Sequence, residues 1–307
     1  MKKVIKNKGI YADISLLFVA MLWGGGFVVV KDALDSITPY YMMTMRFGLS
    51  TVLMCIVFFR NLKGITKKDL IGGTVVGLFL FLGFAFQTVG LQYTTAGKQA
   101  FLTATYVVIV PFLYFAFTKK SPDKYSVAAA FLALFGISML TLQGKFSMGL
   151  GDVLTLFCAL FFAAQIIAID LYTKTIKPIV LTVIQMAVAT VLSFICALIF
   201  EPKMQALDLR GTFSIIYLGV FSTLIAFLIQ NIAQKYTSST HAAIILSLES
   251  FFGCLCAVIF LGDKLTNKMI IGCIMIFIAI ITAETKLDFL KKFLRNKDEN
   301  LQVNKNH

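Results

Sequence analysis

The stretch DISLLFVAMLWGGGFVVVK, Asp13–Lys31, holds an unbroken run of uncharged residues between two charges, and it recurs 139 positions later as DVLTLFCALFFAAQIIAID, Asp152–Asp170. As a helix rising about 1.5 Å per residue, either copy is roughly 27 Å long, close to the hydrocarbon thickness of a bilayer. In this register Asp13 falls on Asp152, Trp23 on Phe162, Lys31 on Asp170, Pro39 on Pro178 and Arg46 on Gln185. A charge-bounded apolar run that returns in the same order points to a chain that crosses a membrane many times.

Composition agrees. Hydrophobic residues make up 59% of the 307 and charged residues only 14%, against about 25% charged in soluble domains. Ten apolar runs are long enough to cross, near 13–32, 38–59, 70–92, 96–117, 125–143, 150–172, 178–200, 211–234, 239–261 and 267–286. Their length and lack of alternation exclude strands, and in lipid every backbone amide needs a partner within its own helix. The connectors are short and polar, leaving no soluble domain. The expected architecture is an all-α polytopic membrane protein of ten transmembrane helices. The leading MKKVIKNKGIYAD runs into a full-length span without a small-residue cleavage signal and reads as mature sequence.

The net charge of +13 is distributed by side. With the N-terminus placed in the cytoplasm, 20 Lys and Arg fall on the inner side and 7 on the outer, while Arg46 lies inside a span. That bias predicts both termini in the cytoplasm. The basic charge therefore orients the chain and attracts anionic lipid headgroups; nucleic acid is not implied.

A second alignment, offset by 143, sets QTVGLQYTTAGKQAF from Gln87 on QNIAQKYTSSTHAAI from Gln230. Five spans per copy is an odd number, so the second copy enters the membrane from the opposite side. The chain reads as two inverted five-helix repeats, 1–145 and 146–290, followed by a basic cytoplasmic tail, 291–307. Carriers built this way commonly bind solute near the midplane where the copies meet.

Polar groups at depth are costly, so they carry the functional information. Glu249, in ILSLESFFG, is some ten residues from either end of its span; it reads as a reversibly protonated or solute-pairing carboxylate, or as an interhelical anchor. Arg46, in MTMRFG, either snorkels to the surface or faces the cavity. Gln87, Gln99, Gln165, Gln185, Gln230 and Asn231 form a thinner layer of amides, each readable as helix-to-helix glue and together suggesting a wet interior. Tyr106 aligns with Glu249 under the second offset. Trp23, near the midplane, is misplaced for an interfacial anchor and reads as cavity wall. Gly24 and Gly25 fall on Ala163 and Ala164 and read as close-packing positions, whereas Gly26 falls on Gln165 and reads as cavity or hinge. The substrate-contacting set is thus Trp23, Gly26, Arg46, Gln87, Tyr106, Gln165, Gln230 and Glu249. The 30 phenylalanines read as packing or lipid-facing, and none is selected. The six cysteines, within apolar spans and without a C-x-x-C pair, read as small packing residues; no disulfide, metal or cofactor is expected. Asp263 and Lys264, in LGDKL, read as an outer turn.

WGGGFVVVKDALDSITPYYMMTMRF, LQYTTAGKQAFL and HAAIILSLESFFGCLCAVIFLGDKLT together resemble the EamA-type branch of the drug/metabolite transporter superfamily, over nearly the whole chain. The resemblance implies a multipass inner- or plasma-membrane carrier that usually exports small metabolites such as amino acids, or drugs. Ser250 stands where the family pattern usually has proline after the glutamate, and Asp263 where it often has glutamate. The corresponding first-half turn, FTKKSPDK, has no acid at that place.

The predicted function is a secondary transporter working by alternating access on a small-molecule substrate in the lipid bilayer, with a coupling proton or counter-solute. No G-x-x-x-x-G-K-[ST] loop is present for ATP hydrolysis. A pore or lipid-handling protein is the alternative. A membrane-embedded enzyme lacks the tools, since the only histidines are His241 and the last residue, His307.

Overall fold

A computed structural model describes residues 2–141, 148–202, 207–261 and 266–285. The Asp263–Lys264 turn, His307 and the tail 291–307 lie outside these residues. Among the described residues there is no strand. The helices are α1 (Lys2–Ala33), α2 (Pro39–Val57), α3 (Lys67–Leu91), α4 (Ala96–Ala104), α5 (Tyr106–Thr118), α6 (Lys124–Thr141) and α7 (Leu150–Tyr172), then α8 (Pro178–Phe200), α9 (Leu209–Ile216), a π-helical stretch (Tyr217–Ile225), α10 (Ala226–Ala233), α11 (Ser239–Leu246), α12 (Glu249–Leu261) and α13 (Asn267–Thr285).

Among the described residues, eight helical stretches are long and apolar enough to cross a membrane: Gly9–Ala33, Pro39–Val57, Lys67–Leu91, Lys98–Thr118, Leu150–Tyr172, Pro178–Phe200, Leu209–Ala233 and Ser239–Cys256. The runs expected as spans five and ten form shorter apolar helices, Lys124–Met139 and Ile270–Ala283, which pack along each other.

Local chemistry fixes several helix starts. Pro39 and Pro178 sit in the first turns of α2 and α8, where a missing N–H costs nothing. Thr95 and Ser238 cap α4 and α11, each accepting at 3.3 Å from the backbone N–H three residues on, that of Lys98 and of His241. Burial departs from that of a soluble fold although the core remains mostly apolar. Large apolar side chains such as Phe194, Leu198 and Ile199 face outward, while Gln185, Gln230 and Asn231 are fully buried. That is the distribution a lipid-solvated bundle requires.

The fourth and ninth expected spans are not continuous. Span four breaks at Thr105, whose hydroxyl donates to Leu102 O at 2.6 Å. Pro111, nearly two turns further on, offers no backbone N–H to the helix. Span nine breaks at Ser247–Leu248 although Ser250, and not a proline, follows Glu249. There Ser247 Oγ donates to Ile244 O at 2.8 Å, and Ser250 Oγ leaves the helix for Ala100 O at 3.1 Å. Serine and threonine hydroxyls that bond backbone carbonyls bend helices in this way.

Helices α1 and α7 stand at the centre. α1 packs on α10, α11 and α12, and α7 on α3, α4 and α5. Gly24 permits a close approach of α1 to α12: a Cβ there would lie 2.6–2.7 Å from Phe252 Cβ, Glu249 O and Gly253 N. Gly25 is less constrained than its neighbour, since its added Cβ would meet only the Tyr217 hydroxyl, at 3.0 Å. Both glycines thus lie against neighbours, Gly24 against backbone of α12 and Gly25 against a side-chain hydroxyl.

Candidate functional site

A partly open cavity lies between α1 and α7, about 600 Å³ of empty space when its opening is included. The two helix breaks aim residues at it, because Tyr106 is the first residue of α5 and Glu249 the first of α12. All eight side chains or backbone positions singled out from the sequence, Trp23, Gly26, Arg46, Gln87, Tyr106, Gln165, Gln230 and Glu249, line it.

Both halves of the chain contribute in matched positions. Trp23 and Phe162, Gly26 and Gln165, and Phe27 and Ile166 are 139 apart; Phe84 and Phe227, Gln87 and Gln230, and Tyr106 and Glu249 are 143 apart. The remaining lining residues, Val30, Arg46, Gln99 and Ser222, have no counterpart in the wall.

Arg46 does not snorkel. It is 2% exposed, its Nε donates to Thr223 Oγ1 at 2.9 Å and one terminal nitrogen reaches Ser222 Oγ at 3.4 Å. Its guanidinium also lies 4.6 Å from the Phe84 ring centroid, a cation–π geometry that holds a charge without neutralising it. The π-helical stretch supplies both hydroxyls and, through Ser222 O, accepts the Trp23 indole N–H at 2.9 Å. Such wide turns recur at functional sites. Trp23 in turn packs on Phe227, ring centroids 5.0 Å apart.

Glu249 is 4% exposed and has an oxygen without a hydrogen-bond partner among the described residues. Tyr106 approaches it closely enough to interact electrostatically, yet the tyrosine hydroxyl also lacks a hydrogen bond of good geometry. Among the described residues neither Arg46 nor Glu249 has an ion-pair partner. They share one cavity without pairing across it.

The amides divide. Gln99 donates to Gln87 O at 2.5 Å, and Asn231 donates to Thr182 Oγ1 at 2.7 Å, as helix glue. Gln185 is buried away from the cavity. Among the described residues Gln165 Nε2, both polar atoms of the Gln230 amide and Gln99 Oε1 have no partner. Each unpartnered buried polar atom costs about 1–3 kcal/mol. A cluster of them around one space marks a place where water or a polar ligand supplies the missing bonds.

The sequence reading missed the aromatic wall. Phe27, Phe84, Phe162 and Phe227 all line the cavity; the first alignment already paired Phe162 with Trp23, and extending the second by three residues towards the N-terminus pairs Phe84 with Phe227, which was the available signal. The walls combine apolar rings with a few fixed polar groups, as in sites for small organic molecules.

A model of the EamA-like transporter family matches residues 10–142 and again 149–284. An uncharacterized transporter of Archaeoglobus fulgidus is 38% identical over 280 residues, 91% of this chain and 88% of the relative. The uncharacterized transporter YetK of Bacillus subtilis is 27% identical over 193 residues, 61% of this chain and 58% of that protein. A protein of known crystal structure superposes with a TM-score of 0.77 over 89% of this chain and 98% of its own, at 15% identity; that likeness speaks to the fold.

Proposed function

The chain belongs to the EamA-like transporter family of multipass membrane proteins, and from that premise we propose that it is a secondary carrier that exports small zwitterionic metabolites such as amino acids, or drug-like compounds, by alternating access. The observation that carries this reading is the pair of opposite charges, Arg46 and Glu249, facing one aromatic cavity without neutralising each other. A solute carboxylate meets the guanidinium and its ammonium meets Glu249, so a zwitterion satisfies both while its side chain rests on Trp23, Phe84 and Phe227. Gln87, Gln165 and Gln230 hydrogen-bond the solute's polar edge, Gly26 leaves room for it, and Tyr106 orients the Glu249 carboxylate. A coupling proton or counter-solute occupies Glu249 on the return step.

In this reading the molecule has ten spans in two inverted repeats, 1–145 and 146–290, with a cytoplasmic tail at 291–307, both termini inside and the plasma membrane as its site. The twofold match of the family model supports the repeat. So does the packing, because exchanging the halves turns the α3–α7 contact into the contact of α1 with α10, and turns α5–α7 into α12–α1.

The test is flux in proteoliposomes with a panel of amino acids and organic cations. Saturable counterflow is expected. Linear flux with an ionic conductance would identify a pore instead.

A further inference from the structure

The cavity's two long walls, α1 and α7, are fastened together at both ends, each time through the turn that leads into a broken helix. At the end bearing Lys31, the turn before α4 holds both walls. Thr94 Oγ1 donates to Asp152 Oδ1 at 2.9 Å, and Lys98 Nζ lies 2.5 Å from Asp152 Oδ2, both on α7. From α1, Lys31 Nζ donates to Leu91 O at 2.9 Å and Thr94 O at 3.5 Å. At the end bearing Asp13, the first turn of α11 does the same. His241 Nε2 faces Asp13 Oδ1 of α1 at 3.3 Å, and Ser239 Oγ donates to Asp170 Oδ2 of α7 at 2.9 Å.

These are one joint built twice. Asp13 and Asp152, and Lys31 and Asp170, are 139 apart, and Lys98 and His241 are 143 apart. On each wall helix the two joints are about 27 Å from each other, with Trp23 and Gly26 on one wall and Phe162 and Gln165 on the other between them. A short half-helix, α4 or α11, about 13 Å long, connects each joint to the break that carries Tyr106 or Glu249. The cavity floor and each joint are thus the two ends of one short rigid lever.

We propose that the two joints are the gates of the cavity, the Thr94–Lys98 turn closing one end and the Ser239–His241 turn the other, each worked through its own half-helix. This rests on the carrier reading above. When one joint opens, α1 and α7 part at that end while the other joint still holds them, which is the mutual exclusion alternating access needs. The joints differ in chemistry: the Lys98 ammonium pairs directly with Asp152, whereas the His241 imidazole faces Asp13 Oδ1 at 3.3 Å without hydrogen-bonding that oxygen and forms an ion pair with it only when protonated, so the two ends are held unequally.

The experiment places a reporter cysteine at Gln165→Cys in a chain whose six native cysteines are replaced by alanine. A membrane-impermeant maleimide is applied to sealed vesicles of either orientation, and labelling is normalised to that in denaturant. Lys98→Met is expected to raise labelling from the face bearing residue 98 by about five-fold or more, and His241→Leu to do so from the opposite face alone. Lys98→Arg should label as the parent does. Thr94→Val and Ser239→Ala, which delete a single hydroxyl each, repeat the measurement should either first variant fail to fold. Gates are overturned by equal gains from both faces or by no change from either. Because labelling needs no solute, the two proposals fail separately. Saturable counterflow with labelling indifferent to Lys98 and His241 would sink the gates alone; face-specific labelling without transport of any tested solute would sink the substrate assignment alone.

Discussion

The break between α4 and α5 and the break between α11 and α12 occupy equivalent places in the chain, yet they are furnished differently. The first presents Tyr106 and packs in a core cluster with Ala163, Val107 and Val110. The second presents Glu249, whose backbone oxygen is where a Cβ on Gly24 would have to go. Gly24 and Ala163 correspond across the halves, so the tighter approach occurs at the break that bears the acid. The same inequality appears at Arg46, whose counterpart Gln185 is buried outside the cavity. The chain builds a symmetric vessel and then loads it asymmetrically.

Substitutions at the two breaks probe this inequality. The largest effect is expected at Gly24→Leu, which forces side-chain atoms against backbone of α12 and should cost more than about 3 kcal/mol, read as loss of monodisperse protein or a collapsed thermal transition. A well-folded Gly24→Leu protein would show that the second break is no tighter than the first. Glu249→Gln keeps the shape and removes the charge; it should insert and fold normally while transport falls by about 10- to 100-fold. Wild-type kinetics in that variant would leave the carboxylate with a packing role only. Arg46→Lys retains a cation but loses the planar fork over Phe84, and about a ten-fold rise in KM is expected with little change in yield. At the first break, Tyr106→Phe removes one neutral hydroxyl and should cost about five-fold in transport. A loss as deep as that of Glu249→Gln would make the breaks functionally equal. Gly26→Ala is the mildest: the new methyl lies 3.2 Å from Ser222 Oγ, a flexible hydroxyl, so a change of less than about 1 kcal/mol in solute binding is expected, with folding intact.

The polar residues at depth were legible because a charge or amide inside an apolar run costs energy wherever it points, and a sequence retains it only against a return. Glu249, Arg46 and Gln230 announce themselves on that ground alone. Phe84 and Phe227 do not, since a phenylalanine is equally at ease against lipid, a neighbouring helix or a solute. The helix breaks were also hidden. Span nine breaks without proline, through hydroxyls of Ser247 and Ser250 that bond to backbone carbonyls, and nothing in ILSLESFFG distinguishes such a serine from one facing outward. Whether Arg46 snorkels was likewise open, because its stem length permits both outcomes.

By itself the sequence determined the solvent, the helical class, the repeated arrangement of polar positions and the short roster of costly residues, all properties that depend on composition and spacing along one dimension. Only the tertiary structure decided that those residues converge on one cavity, that Arg46 rests on Phe84 rather than on an acid, and that His241 meets Asp13 while Lys98 meets Asp152. The physical reason is that a side chain's cost is set by its depth, whereas its partner is set by which helix faces it across many residues of intervening chain.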